Sequence, residues 1–420
     1  MRLASVICAM AVSTPVLANA QTVVIENATV WVDSNTEIKS ASVVIRNGVI
    51  AAVGKVPTPA GARRIDGTGR VVTAGFIDAS SWLGMVEVGQ VAETNEGSFD
   101  SKGRSVFASY RTADGYNFDS VAIPIARTGG VTSVIATPTG AFVAGISGGF
   151  ALRDNAVGVT DAELVLRRDA ALHVNLGRRA LAANQSSRGM AVARLRQLFD
   201  DAARYNRTRG AYDKNQSRQL AASRLDLEAL LLVTRRQIPM VVRVDRASDL
   251  RAVLRLAKAL RINLVVEGGT EAWRMAAELA AAKVPVLADP TSNLPSSFDQ
   301  IRVRNDAVAR LAAAGVPLII STLGSASNVR NLRQLAGIAI ANGLSRAQAL
   351  AAVTSTPARI YGLDKRGTLA RGNAADVVLW SGDPFELSTA VERVFVGGVE
   401  QSTRTRQTKL LDRYRKLPSR

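Results

Sequence analysis

The residues able to do chemistry in this chain are few, and their scarcity excludes a good deal. Among 420 residues there is one cysteine, Cys8, and one histidine, His173. A zinc ribbon, a disulfide scaffold, a thiol redox pair and a multi-histidine metal centre each need more imidazole or thiol than that. What remains is oxygen and guanidinium chemistry. Asp245, Glu267 and Asp289 each follow a short apolar run, with Arg243, Ser80, Trp82 and Thr322 at comparable places. Three carboxylates suit a hard cation such as Mg or Ca, but they equally suit pairing with nearby arginines at a solvated rim, the ordinary state of such groups. Asp245, Glu267 and His173 are the candidates for catalysis. Ser80, His173 and an aspartate would make an acyl-transfer triad, although no nucleophile-elbow motif surrounds the serine. By itself His173 reads as a hydrogen-bonded residue of the scaffold. Gly140-x-x-x-x-Gly145 is followed by Ile146-Ser147 and lacks the lysine of a phosphate loop. The stretch Gly129 to Gly149 reads as a loop over the mouth of the fold.

Positioning such residues requires a scaffold, and the alternation of elements names one. Ile238 to Val244, Leu264 to Val266, Val284 to Leu287 and Val316 to Ile320 are apolar, β-branched runs. Helical spacing fills the gaps between them, as at Leu250, Val253, Leu254, Ala257 and Leu260. Strands recurring every ~20–30 residues with helices between them predict βαβ units and a parallel sheet buried on both faces. Both chain ends differ. Thr22 to Ile25, Val30 to Val32, Val43 to Ile45 and Val49-Ile50 are short strands with a hairpin at Asn47-Gly48, and Asp376 to Trp380 and Val391 to Val396 repeat that texture. The expected class is α/β: a TIM-like β/α barrel with a small β-sandwich formed by the N- and C-terminal segments. The expected boundaries are sandwich 21–70, barrel 71–360, sandwich again 361–402, and a basic tail 403–420. In a barrel, chemistry lies at the C-terminal ends of the strands. That rim holds Asp78 to Trp82, Arg243, Asp245, Glu267, Gly268, Asp289 and Ser321 to Leu323. Ser80, Trp82, Arg243, Asp245, Glu267, Asp289 and Thr322 are the expected ligand pocket.

Residues 1–20 read as an export signal: Arg2, an apolar run from Leu3 to Leu17, and the small-x-small close Ala18-Asn19-Ala20. Cleavage after Ala20 would remove Cys8 and leave a periplasmic or secreted protein without a thiol. No later stretch is apolar enough to span a membrane. The formal charge is +18, or +17 once Arg2 is removed. No nucleic-acid motif or aromatic stacking platform accompanies that charge, so nucleic acid is not an expected partner.

The segment Gly75-Phe76-Ile77-Asp78-Ala79-Ser80-Ser81-Trp82 resembles the first barrel strand of the metal-dependent amidohydrolase superfamily, which ends Gly-Phe-Ile-Asp-x-His-x-His. Glu87 to Asn95, Ala122 to Val131, Val265 to Glu271, Ala349 to Ile360 and Gly367 to Trp380 are similar to its imidazolonepropionase-like branch. The resemblance implies hydrolysis of C–N or amide bonds with zinc or another divalent metal. It also implies ligand positions: the histidine pair falls on Ser80 and Trp82, the bridging lysine on His173, the next histidines on Arg243 and near Gly268, and the closing aspartate on Leu323. Indole and guanidinium have no lone pair to offer, so no metal or other cofactor is expected here. The resulting expectation is a non-catalytic paralogue that binds a small anionic or amide ligand, or forms a hetero-oligomer with an intact amidohydrolase. The alternative is an active C–N hydrolase using an unrecognised site.

Overall fold

The computed structural model describes residues 22–97, 104–156, 158–177 and 187–415. The expected export signal lies outside them. The chain opens with β1 (Val23–Trp31), β2 (Glu37–Arg46), β3 (Val49–Gly54), β4 (Arg63–Asp66) and β5 (Val71–Ala74). Asn47 and Gly48, at φ of 52° and 78°, make the left-handed two-residue turn that Asn-Gly predicts between β2 and β3.

The barrel follows as β6 (Phe76–Ser81), β7 (Val131–Ala136), β8 (Val143–Ala151), β9 (Val165–Asn175), β10 (Met240–Val244), β11 (Leu264–Gly268), β12 (Val286–Ala288) and β13 (Leu318–Ile320). They lie side by side in chain order. The ring closes where Ser80 N–H donates to Ser321 Oγ at 3.0 Å and Trp82 N–H donates to the Gly324 carbonyl at 2.9 Å. β14 (Val377–Trp380), β15 (Val391–Val396) and β16 (Val399–Gln401) return to the first sheet, β14 pairing with β5. The architecture is therefore a TIM-like barrel with a small sheet domain built from both chain ends.

Three expectations need correction. Val71–Ala74 belongs to the small sheet, paired with β1 and β14, so the barrel begins at Phe76. Gly75 separates the two strands because any Cβ there would collide with the Thr132 side chain. The stretch Gly129 to Gly149 is no loop, since it contains β7 and β8. Nor is the barrel sheet wholly parallel, because β8 runs antiparallel to both β7 and β9. Glycine here serves close approach: a Cβ on Gly145 would lie 2.7 Å from the Tyr110 carbonyl oxygen.

The barrel interior is an apolar layer formed by Ile77, Ala79, Ile135, Ala171, Val241, Val265, Leu287 and Ile319, floored by Ala358 and Tyr361 of the helix Ser355–Tyr361. The domains are locked together by Trp380, which packs on Phe76 at 5.2 Å between centroids and donates to Thr73 Oγ1 at 2.9 Å. The expected tail carries a helix, Arg406–Tyr414, that buries none of its residues.

Candidate functional site

Side chains along a strand return to the same face every second residue. Two steps beyond the apolar layer, β9, β10, β11, β12 and β13 therefore present His173, Arg243, Glu267, Asp289 and Ser321. The structure gathers some of these and not others. Ser80, Trp82, His173, Arg243 and Glu267 line one pocket at the C-terminal ends of the strands, with Thr137, Asn175 and Leu323. About 30 Å³ is left free among them, space for one or two waters. A separate cavity of about 270 Å³ lies beyond Trp82, lined by Trp82, Thr139, Asn95 and Ala326. The indole stands between an almost filled inner site and a roomier vestibule.

Asp245, Asp289 and Thr322 do not line this pocket. Asp245 turns behind the strand ends and accepts from Thr270 N–H at 3.3 Å, Thr270 Oγ1 at 3.1 Å and Gln300 Nε2 at 3.3 Å. Gly268 makes room for it, since a Cβ there would lie 3.0 Å from Asp245 Oδ1. Asp289 closes its own turn, accepting from Thr291 N–H at 2.8 Å and Thr291 Oγ1 at 2.6 Å. Thr322 serves Asp78, which also accepts from the Ser321 hydroxyl. The sequence does not point to Thr137, because Gly129 to Gly149 reads as a loop; the β-branched run Val131 to Ala136 is the available signal.

The electrostatics of the pocket are set by burial. Glu267 is 6% exposed, and its carboxyl is held above the usual range because desolvation outweighs the nearby Arg243 guanidinium. Arg243 Nη1 reaches Glu267 Oε1 at 3.4 Å. His173 Nδ1 stands 3.8 Å from Glu267 Oε2, beyond hydrogen-bonding distance. Burial pushes the imidazole down to about 3, so it is neutral at ordinary pH. Its Nε2 is buried with no partner among the described residues, contrary to the expectation of a satisfied scaffold histidine. Leu323 sits at φ 50°, a strained conformation for a bulky side chain.

With this geometry in place, likeness to known proteins can be weighed. A sequence profile of the amidohydrolase family, Amidohydro_3, matches residues 274–400. An amidohydrolase from Thermotoga maritima MSB8 superposes with a TM-score of 0.81 at 27% identity, covering 91% of this chain and 100% of that one. A molinate hydrolase superposes at 0.55 with 16% identity, covering 92% and 95%. A prolidase complexed with N-methylphosphonate-L-proline reaches 0.51 with 16% identity, covering 91% and 99%; these two show the fold alone. No curated protein matches significantly.

Over 91% of its length the chain resembles an amidohydrolase, and residues 274–400 match that family.

Does the pocket fit the divalent metal that the likeness to amidohydrolases implies? The donor set does not. Trp82 offers only an N–H, Arg243 has no acceptor, and Leu323 has no heteroatom. That leaves one imidazole and one carboxylate, already facing a guanidinium, beside the neutral oxygens of Ser80, Thr137 and Asn175, which are not the N, S or carboxylate ligands a closed four-coordinate site takes. Among the described residues no group of three or more His, Cys, Asp or Glu side chains is placed to hold a metal ion.

Proposed function

We propose that this protein binds a ligand at its barrel mouth and does not hydrolyse it by the metal-assisted route. The observation that carries this reading is the unpartnered His173 Nε2 beside Glu267, in a pocket whose polar wall also includes Arg243, Ser80, Thr137 and Asn175. A buried polar atom without a partner is costly, and a ligand that supplies one recovers that cost. Arg243 offers a fork for a carboxylate, while Glu267 accepts an N–H. A small carboxylate-bearing amide or peptide-like ligand presents both groups. It would enter from the vestibule once Trp82 turns aside.

Metal quantification on purified full-length protein, together with calorimetric titration of N-acyl amino acids and dipeptides, tests the reading. The expected outcome is less than one-tenth equivalent of zinc or manganese, roughly micromolar binding of one such ligand, and a loss of about ten-fold or more for Arg243→Ala. Stoichiometric metal with turnover would overturn it, as would an Arg243→Ala variant that binds every such ligand unchanged.

A second reading has one observation in its favour. A neutral imidazole facing a carboxylate can act as a general base, so an active C–N hydrolase working through His173 is the alternative. It predicts turnover that survives exhaustive chelation and disappears in His173→Gln. Export to the periplasm or exterior is part of the proposal and rests on the composition of residues 1–20. So is pairing with a histidine-complete relative, for which native co-purification is the check. No helix among the described residues is long and apolar enough to cross a membrane.

A further inference from the structure

At the opposite end of the barrel, the turns that carry helices into β10, β11 and β12 are built alike. After the helices Arg224–Thr234, Ala247–Leu260 and Ala276–Ala281, one residue takes the left-handed conformation: Arg236 at φ 59°, Arg261 at 55° and Lys283 at 53°. The next N–H then reaches back five residues, from Gln237 to the Leu232 carbonyl at 2.9 Å, Ile262 to Ala257 at 3.1 Å, and Val284 to Leu279 at 2.9 Å. This is the helix ending in which the left-handed residue is usually glycine. The following turn in the series, after Ala307–Ala313, has the same bond from Val316 to Leu311 at 3.0 Å and does use glycine, Gly315 at φ 84°. Three cations thus stand where the backbone favours glycine and where the chain's own next turn supplies it.

Those three side chains line one cavity of about 860 Å³, together with Lys258 and Arg359; Gly315 does not reach it. The floor is apolar, formed by Leu254, Ile262, Val284 and Ile360. Its only acidic wall residue, Glu278, faces Arg251 at 3.5 Å. None of the five charged side chains has an ion pair or hydrogen bond among the described residues. Some arginines elsewhere are answered, as where Arg304 and Arg310 share Asp306. The negative end of a helix favours a cation, which accounts for the sign of each charge. It does not account for five of them facing one concavity, repelling one another beside a single carboxylate, Glu278, that Arg251 already faces.

We propose that this cavity on the N-terminal face of the barrel is a binding site for a small polyanion with an apolar body, a molecule carrying two or more carboxylate or phosphate charges. Guanidinium forks match either anion, the floor takes the hydrocarbon, and the volume suits a ligand of that size. The site is separate from the pocket at the mouth and does not depend on what binds there.

Calorimetric titration of the full-length chain at low salt tests the proposal, with 1-naphthyl phosphate and naphthalene-1,4-dicarboxylate as dianions, 1-naphthol as the neutral body, and inorganic phosphate as the charge alone. At least one dianion should bind about ten-fold or more tighter than both 1-naphthol and inorganic phosphate, and the better of the two names the preferred anion. The variant Arg236→Gly/Arg261→Gly/Lys283→Gly copies the Gly315 turn, so it should keep its thermal midpoint while losing about ten-fold or more in affinity. Arg243→Ala at the mouth should bind like the parent. Dianions that bind no tighter than 1-naphthol overturn the site. So does a triple-glycine variant that keeps the parent's affinity, or a loss of binding that follows Arg243→Ala instead.

Discussion

Two buried carboxylates stand at the mouth of this barrel, and they are treated in opposite ways. Asp78, within β6, is fully surrounded: Ser321 and Thr322 hydroxyls and the Thr322 N–H at 3.2 Å all donate to it, tying the first barrel strand to the last. Glu267, across the mouth on β11, has a loose arginine at 3.4 Å and an imidazole too far away to bond. Both are held above the ordinary carboxyl range by burial, Asp78 up to about 6. The difference lies in what burial is compensated by. Around Asp78 the polar atoms satisfy one another, as a structural clasp requires. Around Glu267 and His173 they do not, and unsatisfied polar atoms in a pocket are what a ligand recognises.

The sharpest way to break that contrast is to remove the clasp. Asp78→Ala leaves the Ser321 and Thr322 donors without their acceptor and should cost about 4 kcal/mol in chemical denaturation, with a lower thermal midpoint. A loss below about 1 kcal/mol would mean that Asp78 closes nothing.

Titration separates the two sides next. His173 is pushed down to about 3 from an unfolded value near 6.5, so the unfolded chain takes up the proton first. Its contribution is present above pH 6.5 and is lost as pH falls toward 3, roughly 3 kcal/mol by pH 4. Asp78 has the reverse sign. Its pKa is raised to about 6, so its contribution is full below the unfolded value near 3.8 and lost as pH rises to about 6. Across that window the loss is on the order of 3 kcal/mol. Denaturation between pH 4 and 7 should therefore show His173→Gln gaining relative stability at the acid end. Asp78→Asn should lose the decline that the parent's carboxyl contributes between pH 4 and 6. Variants with parallel pH profiles would show that neither group titrates as its burial implies.

How much of this was legible beforehand follows from what a sequence pattern records. The barrel and the two-ended small domain were readable because strand and helix periodicities are local, as at Ile238 to Val244 followed by Leu250, Val253 and Leu254. The meeting of Ser80, Trp82, Arg243 and Glu267 at one mouth was readable in outline, since strand ends converge in a barrel, whereas His173 reads from the sequence as a scaffold residue. β8 was not, because Gly145, Gly148 and Gly149 look like turn residues and serve instead to let Tyr110, Phe150 and Leu363 approach. The roles of Asp245, Asp289 and Thr322 were also hidden. A carboxylate past a strand can aim into the mouth, fold back on Thr270, or close its own turn on Thr291, and that choice is made by loop geometry. The missing partner at His173 Nε2 is less legible still, because it is a property of every neighbour at once.

The mildest perturbation sharpens the comparison furthest. Glu267→Gln keeps shape and removes the charge that burial penalises, while Arg243, nearly half exposed, is left to water. If Glu267 belongs to a ligand site, the amide should be neutral or stabilising by about 1 kcal/mol at pH 7, because an imperfectly paired buried charge costs more than it returns. The same variant should weaken the ligand found in the titrations above. That combination, stability kept and binding lost, is the signature of a residue held for recognition. If Glu267→Gln instead lowers stability as much as Asp78→Ala does, the two sides of the mouth are one structural network and the ligand reading loses its support.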